Sequence, residues 1–412
     1  MSNIQDICKF IAGRWQDTVR SDTTGQGKNL ALPAPFTVPC AQDFFQTLFY
    51  WDTYFACRGM AVQSMPEQVK NNCLNFIHLI NTLGYVPNAA NKDLLNRSQP
   101  PFFGALAALV AELYPDDRNL LVGIAAALEK EIYFWEHQRM DEKTGLFHYD
   151  TMATEEELIA TYPLPVGRLN YPENAEKESM IAASCEALAE AESGWDFNPR
   201  FERRCPDYAP IDLNSLLALD YKLVVELNIK IGYPEKNPPF IENGAKHREA
   251  MQKMWNPERG AYMDFDMVNM RHSPILSAAS LFPLWAKIAT EEEAASTIRA
   301  AETYLEADFG ICCCEKNISD IVYQWNYPNV WAPMQLIAFE AADAYGDKTA
   351  ARRWAEKYLR LVQKNFDKTG DLWEKYNGVT GTLETVNEYG LPRMMGWTAG
   401  VFVCAAKYLS GK

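Results

Sequence analysis

One carboxylate, Asp196, stands between a tryptophan and a phenylalanine in residues 192–201, ESGWDFNPRF. An acid that must hold a proton near neutral pH gains from walls such as Trp195 and Phe197, because excluding water disfavours the charged carboxylate. A second acid, Asp52, directly follows Trp51 in FFQTLFYWDTYF, residues 44–55. Flanked by aromatics it can accept two hydroxyls of a sugar ring, and it fits a helix cap or a satisfied core aspartate equally well. In residues 84–104, GYVPNAANKDLLNRSQPPFFG, the side chains of Asn88, Asn96, Arg97 and Gln99 gather ahead of a helix started by two prolines. That set suits a polyol, with a plain capped loop as the simpler reading. Residues 323–333, YQWNYPNVWAP, bring Gln324, Trp325, Asn326 and Trp331 together. The stretch DLWEKYNGVTGTLE, residues 371–384, sets Glu374 between Trp373 and Lys375, where a solvated helical glutamate beside a surface lysine is the ordinary alternative. Aromatic faces against sugar C–H faces, with acids and amides for the hydroxyls, would make a carbohydrate site.

Composition narrows the partners. The chain has 412 residues, 48% apolar and 23% charged, which is the balance of a globular core rather than of a disordered chain. A net charge of -15, with no cluster of Lys and Arg, argues against nucleic acid. The opening residues MSNIQDICKFIAGRWQDTVRSD carry acids early and lack the apolar core and small-residue cleavage site of an export signal. No stretch approaches the roughly 18 apolar residues of a membrane span. Ten cysteines are scattered, and Cys312, Cys313 and Cys314 are adjacent, so they cannot pair with one another without severe strain. They read as reduced thiols of a cytoplasmic protein. A metal at the triplet would need a CxxC or HxxxH companion, which is missing among only five histidines. The expectation is an enzyme or binding protein for a small carbohydrate, without metal or other cofactor.

The elements that must position these residues are helices. Apolar period marks about a dozen, including NIQDICKFIAGRWQDTV, PEQVKNNCLNFIHLINTLG, RNLLVGIAAALEKEIYFWEHQR, KESMIAASCEALAEAES, PILSAASLFPLWAKIA, KTAARRWAEKYLRLVQKNF and GWTAGVFVCAAKYL. Start and stop signals fall where expected, with Pro66 opening one helix and Gly232 and Gly346 closing others. Strand-like alternation is almost absent, so the fold class is all-α. Half the helices read as apolar all round and half as amphipathic, which suits a double ring, an α/α toroid, in a single domain spanning residues 1–412. An α-solenoid is the alternative, but no period of roughly 34 to 47 residues can be traced.

In this order, YWDTYF, LNRSQPP, ESGWDFNPRF, QWNYPNVWAP, EKY and GWTAG resemble the motif series of trehalases, and more broadly of related inverting α-glycosidases built on an (α/α)6 barrel. The match runs from about residue 45 to residue 405. The resemblance implies an inverting glycoside hydrolase, in which one carboxylic acid protonates the leaving oxygen and a carboxylate about 6.5–9.5 Å away activates water. It makes Asp196 the general acid and Glu374 the general base. Trp51 and Asp52 would hold the non-reducing sugar, with Asn96, Arg97 and Gln99 lining the same subsite and Asn88 close by. Trp325 and Asn326 fall on the family's QWD, Gln324 on its first letter, Trp331 on its later tryptophan, and Trp397 on GWTAG. The residues agree with the roles: Asp196 is walled by Trp195 and Phe197, while Glu374 has Lys375 and polar neighbours.

Three departures bear on the substrate. Trehalases carry a Pro-Gly-Gly-Arg-Phe segment before YWD, where this chain has PCAQDFFQTLFYWD without an arginine. Their Arg-Pro-Glu-Ser is AEKESM here, which keeps Glu178 and Ser179 and puts Glu176 at the arginine position. The aspartate of QWD is Asn326. A planar guanidinium is not replaced by Gln or Glu, so recognition must be reshaped, and Arg168 in PVGRLNYPEN could compensate from a shifted loop. The leading expectation is a short α-linked glucoside. Trehalose is one alternative. A mannosyl- or glucosylglycerate is another, for which a free arginine near the acid is needed, Arg200 or Arg168. A catalytically silent sugar-binding protein is a third, against which the presence of both carboxylates speaks.

Overall fold

A computed structural model describes residues 2–42, 44–385 and 390–411. Its helices are α1 (Ile4–Arg14), α2 (Tyr50–Val62), α3 (Pro66–Leu83), α4 (Phe103–Leu113), α5 (Arg118–Gln138), α6 (Glu155–Thr161), α7 (Pro163–Leu169), α8 (Lys177–Glu192), α9 (Ile211–Ile231), α10 (Pro238–Ala250), α11 (Phe282–Trp285), α12 (Glu291–Tyr304), α13 (Ala332–Ala344), α14 (Lys348–Thr369) and α15 (Gly396–Ser410). The described strands are two or three residues long and pair mostly as small antiparallel ladders between helices.

Six helices close into an inner ring: α2 packs on α4, α4 on α9, α9 on α11, α11 on α13, α13 on α15, and α15 back on α2. They alternate along the chain with the outer helices α1, α3, α5, α10, α12 and α14. Outer helices bridge the inner ones, as α3 does for α2 and α4, and α14 for α13 and α15. The molecule is therefore an all-α (α/α)6 barrel. The burial patterns follow from the two positions. In α15 every residue from Gly396 to Ala405 is buried, as an inner helix requires, whereas α14 buries Ala351, Trp354, Ala355, Tyr358 and Val362 at helical spacing and leaves its other face to water. The tightest inner contact is between α2 and α15. A Cβ on Gly59 would lie 2.4 Å from the Gly400 Cα, and one on Gly400 would lie 2.0 Å from the Phe55 carbonyl oxygen, so both must be glycine for the two backbones to touch.

Three features depart from the sequence expectation. The stretch PILSAASLFPLWAKIA supplies only the short α11, preceded by a 3-10 turn at Ala278–Leu281 and ended by Lys287 at a φ of 58°. Two short helices, α6 and α7, stand where no helix was expected; α7 starts on Pro163 and ends on Asn170 in the left-handed region. Finally, α8 is not a ring member. With α6 and α7 it forms an insertion between outer α5 and inner α9, packed chiefly on itself and on the turn at Cys205–Asp207.

Candidate active site

The inner helices start at one end of the barrel, and a cavity of about 260 Å³ opens there. It is slightly smaller than the about 300–1,000 Å³ usual for small-molecule pockets. Helix α2 sends Trp51 and Asp52 from its first turn, α15 sends Trp397 from its first turn, Gln99 precedes α4, and Trp331 is the residue before α13. The aromatic wall is continuous. Trp325 stacks on Trp331 with centroids 3.8 Å apart and planes at 6°, and Trp51 and Trp331 both meet Trp397 edge to face. Trp195 stacks behind Trp325 at 5.2 Å and does not itself line the cavity. Gly194 lines it at a φ of 72°, and a Cβ there would come within 2.9 Å of the Trp51 ring.

Asp196 enters from the loop after α8. Its side chain opens to the cavity yet is enclosed by the cavity walls, and this loss of water raises its carboxyl above the ordinary aspartate value. Arg168 opposes that rise: its guanidinium Nη1 lies 3.4 Å from Asp196 Oδ2, and it sits 5.7 Å from the Phe197 ring centroid. Arg97 also opposes the rise, and the negative charge of Glu374 adds to it. The Asp196–Phe197 peptide is cis.

Glu374 enters between α14 and α15, immediately before a short ladder in which Lys375–Asn377 pairs antiparallel with Asn329–Trp331. It is buried to 1% exposure and lines the cavity. Lys375 Nζ donates to Glu374 Oε2 at 2.9 Å, and Trp397 Nε1 donates to the Glu374 backbone carbonyl at 3.1 Å. The solvated helical glutamate with a surface lysine is thus replaced by a buried ion pair.

Asp52 is the third cavity carboxyl. Burial pushes it up to about 8; the charges of Glu374 and Asp196 add to this, and a backbone hydrogen bond partly offsets it. Beside it, Gln99 Oε1 accepts from the Trp51 backbone N–H at 3.2 Å, and Asn88 Nδ2 donates to the carbonyls of Ser98 and Ala191. Arg97 lines the cavity, its guanidinium bonded to Asn96 Oδ1 at 2.7 Å, and burial lowers its proton affinity. One residue the sequence reading passed over holds this side together. Glu192, wholly buried, takes a two-pronged ion pair from Arg139 and accepts the backbone N–H of Ser98 at 2.7 Å and of Asp150 at 2.8 Å. It joins the Asn96–Gln99 loop to the last turn of α8, just ahead of Asp196.

Of the expected residues, Asp196, Glu374, Trp51, Asp52, Asn88, Arg97, Gln99, Arg168, Gln324, Trp325, Trp331 and Trp397 line one cavity. Five others are placed elsewhere. Arg200 is fully buried between Asp212 and Asp264, bonded to both at 2.8 Å and stacked 4.3 Å over Trp195; its charge is spent on the core and it is no free arginine. Glu178 is exposed in the first turn of α8. Asn326 exchanges two hydrogen bonds with Asn317 rather than facing the cavity. Asn96 supports Arg97 from behind, its carbonyl accepting from Met152 and Thr151. Trp195 backs Trp325, as described. The cavity also takes Phe45, Phe49 and Met395, whose apolar types carry no chemical signal in a sequence.

Fold and site together define a glycoside hydrolase of the (α/α)6-barrel type, with three carboxyl groups in an aromatic cavity. The trehalase family profile matches residues 2–410, and the chain belongs to that family. The periplasmic trehalase of Shigella flexneri is 29% identical over 419 residues, covering 96% of this chain and 73% of that protein, and one from Escherichia coli is 28% identical over the same span. Among solved structures, the neutral trehalase of Saccharomyces cerevisiae superposes with a TM-score of 0.84 at 22% identity, over 99% of this chain and 94% of that one. A mannosylglycerate hydrolase from Thermus thermophilus, in complex with Tris and D-glycerate, gives 0.66 at 16% identity, over 97% and 99%.

Proposed function

We propose that this enzyme hydrolyses α,α-trehalose, or a closely similar short α-linked glucoside, with inversion. Asp196 gives its proton to the glycosidic oxygen as the C–O bond breaks, and Glu374 takes a proton from the water whose oxygen bonds to the anomeric carbon from the opposite face. The observation that carries this reading is the pairing of environments in one cavity: an enclosed aspartate with raised proton affinity, and a glutamate in a buried ion pair with lysine. The tryptophans would stack on the sugar, and Asp52, held up to about 8 and so neutral at pH 7, can donate as well as accept a hydrogen bond there. The trehalases among the relatives support the substrate, and Arg168 beside Asp196 supplies a guanidinium where the family's other arginines are missing.

A second reading, a glucosyl- or mannosylglycerate, draws on Arg168 and Arg97, two guanidiniums facing one cavity where an anionic aglycone would lie. Proton NMR of the first turnovers separates the readings. Trehalose cleaved with inversion releases α- and β-glucose in equal initial amounts; α-glucose alone would mean retention and would remove Glu374 from its role. Release of free glycerate from glucosyl- or mannosylglycerate, with trehalose untouched, would select the second reading. The ten cysteines are free thiols, most of them buried, which supports a reducing, cytoplasmic setting, although the bacterial relatives named above are periplasmic. No described helix is long and apolar enough to cross a membrane.

A further inference from the structure

The loops that carry the acid and the base are joined by two buried side chains, Gln324 and Lys375. We propose that Lys375 is a positioning residue for the reaction, orienting the Glu374 carboxylate through one hydrogen bond while fixing it to the acid loop through Gln324. This rests on the acid and base roles proposed above.

The linkage is continuous. Lys375 Nζ donates to Glu374 Oε2 at 2.9 Å and to Gln324 Oε1 at 2.9 Å. The amide nitrogen of Gln324 donates to the backbone carbonyl of Asp196 itself. A second tie runs beside it, from the Trp325 N–H to the Phe197 carbonyl at 3.1 Å. Gln324 cannot swing away, because its own backbone carbonyl accepts from Asn329 Nδ2 at 2.8 Å and Trp331 Nε1 at 3.2 Å. The ladder sets Lys375 directly across from Trp331, and the ammonium rests 4.6 Å from the centre of that ring.

Two observations separate this role from the simpler ones. Lys375 does not line the cavity, so it is not a sugar ligand. It is also wholly buried, and a buried ion pair is weak evidence for stability, since apolar side chains of similar volume often serve a core as well. What the charge adds is direction: the last torsion of a glutamate side chain is broad, and an ammonium on one oxygen narrows it.

The test uses Lys375→Met, Gln324→Leu and the double variant, with thermal melts to establish folding. Lys375→Met should lower kcat by about 100-fold, as a misplacement near 1 Å does, with KM within a factor of about three. Gln324→Leu should lower kcat about tenfold, and the double variant should lose less than the product of the two, because both break one linkage. Wild-type kcat in folded Lys375→Met, losses that multiply, or a rise in KM alone would overturn the proposal. If Lys375→Met does not fold, Gln324→Leu decides: a tenfold loss of kcat at unchanged KM supports the linkage and wild-type kcat refutes it. Glu374→Gln separates the two levels. Should it stay active, the base assignment fails; should it be inactive while Lys375→Met is not, only the positioning role fails.

Discussion

Asp196 reaches the cavity from an insertion of three helices between α5 and α9, whereas Glu374 arrives on a strand ladder within the connections of the ring itself. The difference shows in their surroundings. Asp196 is about one-third exposed to the cavity and is flanked by Arg168 from the inserted α7. Glu374 is 1% exposed, fixed through its side chain by Lys375 and through its backbone by Trp397. An acid must meet leaving groups that vary between substrates, while a base must hold one water against one face of one sugar. The insertion beside the proposed acid and the ring-built clamp beside the proposed base match those two demands.

The largest effects should come from breaking each side in turn. Asp196→Asn and Glu374→Gln should each lower kcat on trehalose by about 10²–10⁴-fold. With α-glucosyl fluoride, whose leaving group needs little protonation, Asp196→Asn should recover much of its turnover and Glu374→Gln none; equal behaviour of the two would erase the distinction between them.

Next in size is Arg200→Leu, which leaves Asp212 and Asp264 buried without their cation. A loss of about 3–5 kcal/mol in denaturant unfolding is expected, with KM of the folded fraction unchanged. A raised KM at normal stability would return Arg200 to the substrate site.

Arg168→Ala acts only on the acid side. Because the guanidinium holds the Asp196 proton affinity down, its removal should move the basic pH–rate limb to higher pH, with kcat/KM down by about tenfold. An unmoved basic limb would separate Arg168 from the acid.

The last expected effect concerns Asp52 and shows only as a pH dependence. Its folded value of about 8 lies above the about 3.9 of an unfolded chain, so the folded state holds the proton more tightly. The stability this brings is complete below pH 3.9 and is lost as pH rises towards 8. Asp52→Asn does not titrate, so its Tm relative to wild type should rise across that window by on the order of a few °C. A flat or falling difference between pH 5 and pH 8 would mean that Asp52 is ionised in the fold.

Much of the ring could be read directly. Long apolar runs such as α15 and amphipathic ones such as α14 announce inner and outer helices, since burial on all sides or on one side leaves its period in the residue types. The insertion was harder. TEEELIATYPLPVGRLN contains two closely spaced prolines, so it reads as a loop although it holds α6 and α7. Helix α8 looks like any ring helix, because periodicity tells that a face is buried and not against what. In the site, the acids and tryptophans were visible by type, whereas Glu192 was passed over in the very stretch that contains Asp196. An acid that binds backbone N–H groups from distant loops has no local signature.

By itself the sequence determined the residue types that the cavity collects, carboxyls and aromatics, and a helical frame able to bring them to one end of a barrel. Only the tertiary structure decided which charges are available. Arg200, close to Asp196 in the chain, and Arg168, 28 residues before it, have opposite fates, because the partners of Arg200 lie 12 and 64 residues away and claim it for the core. Lys375, next to Glu374 in any reading, became a clamp only when the ladder placed it over Trp331 and beside Gln324. A buried charge takes its role from what neutralises it, and those partners come from wherever the fold closes.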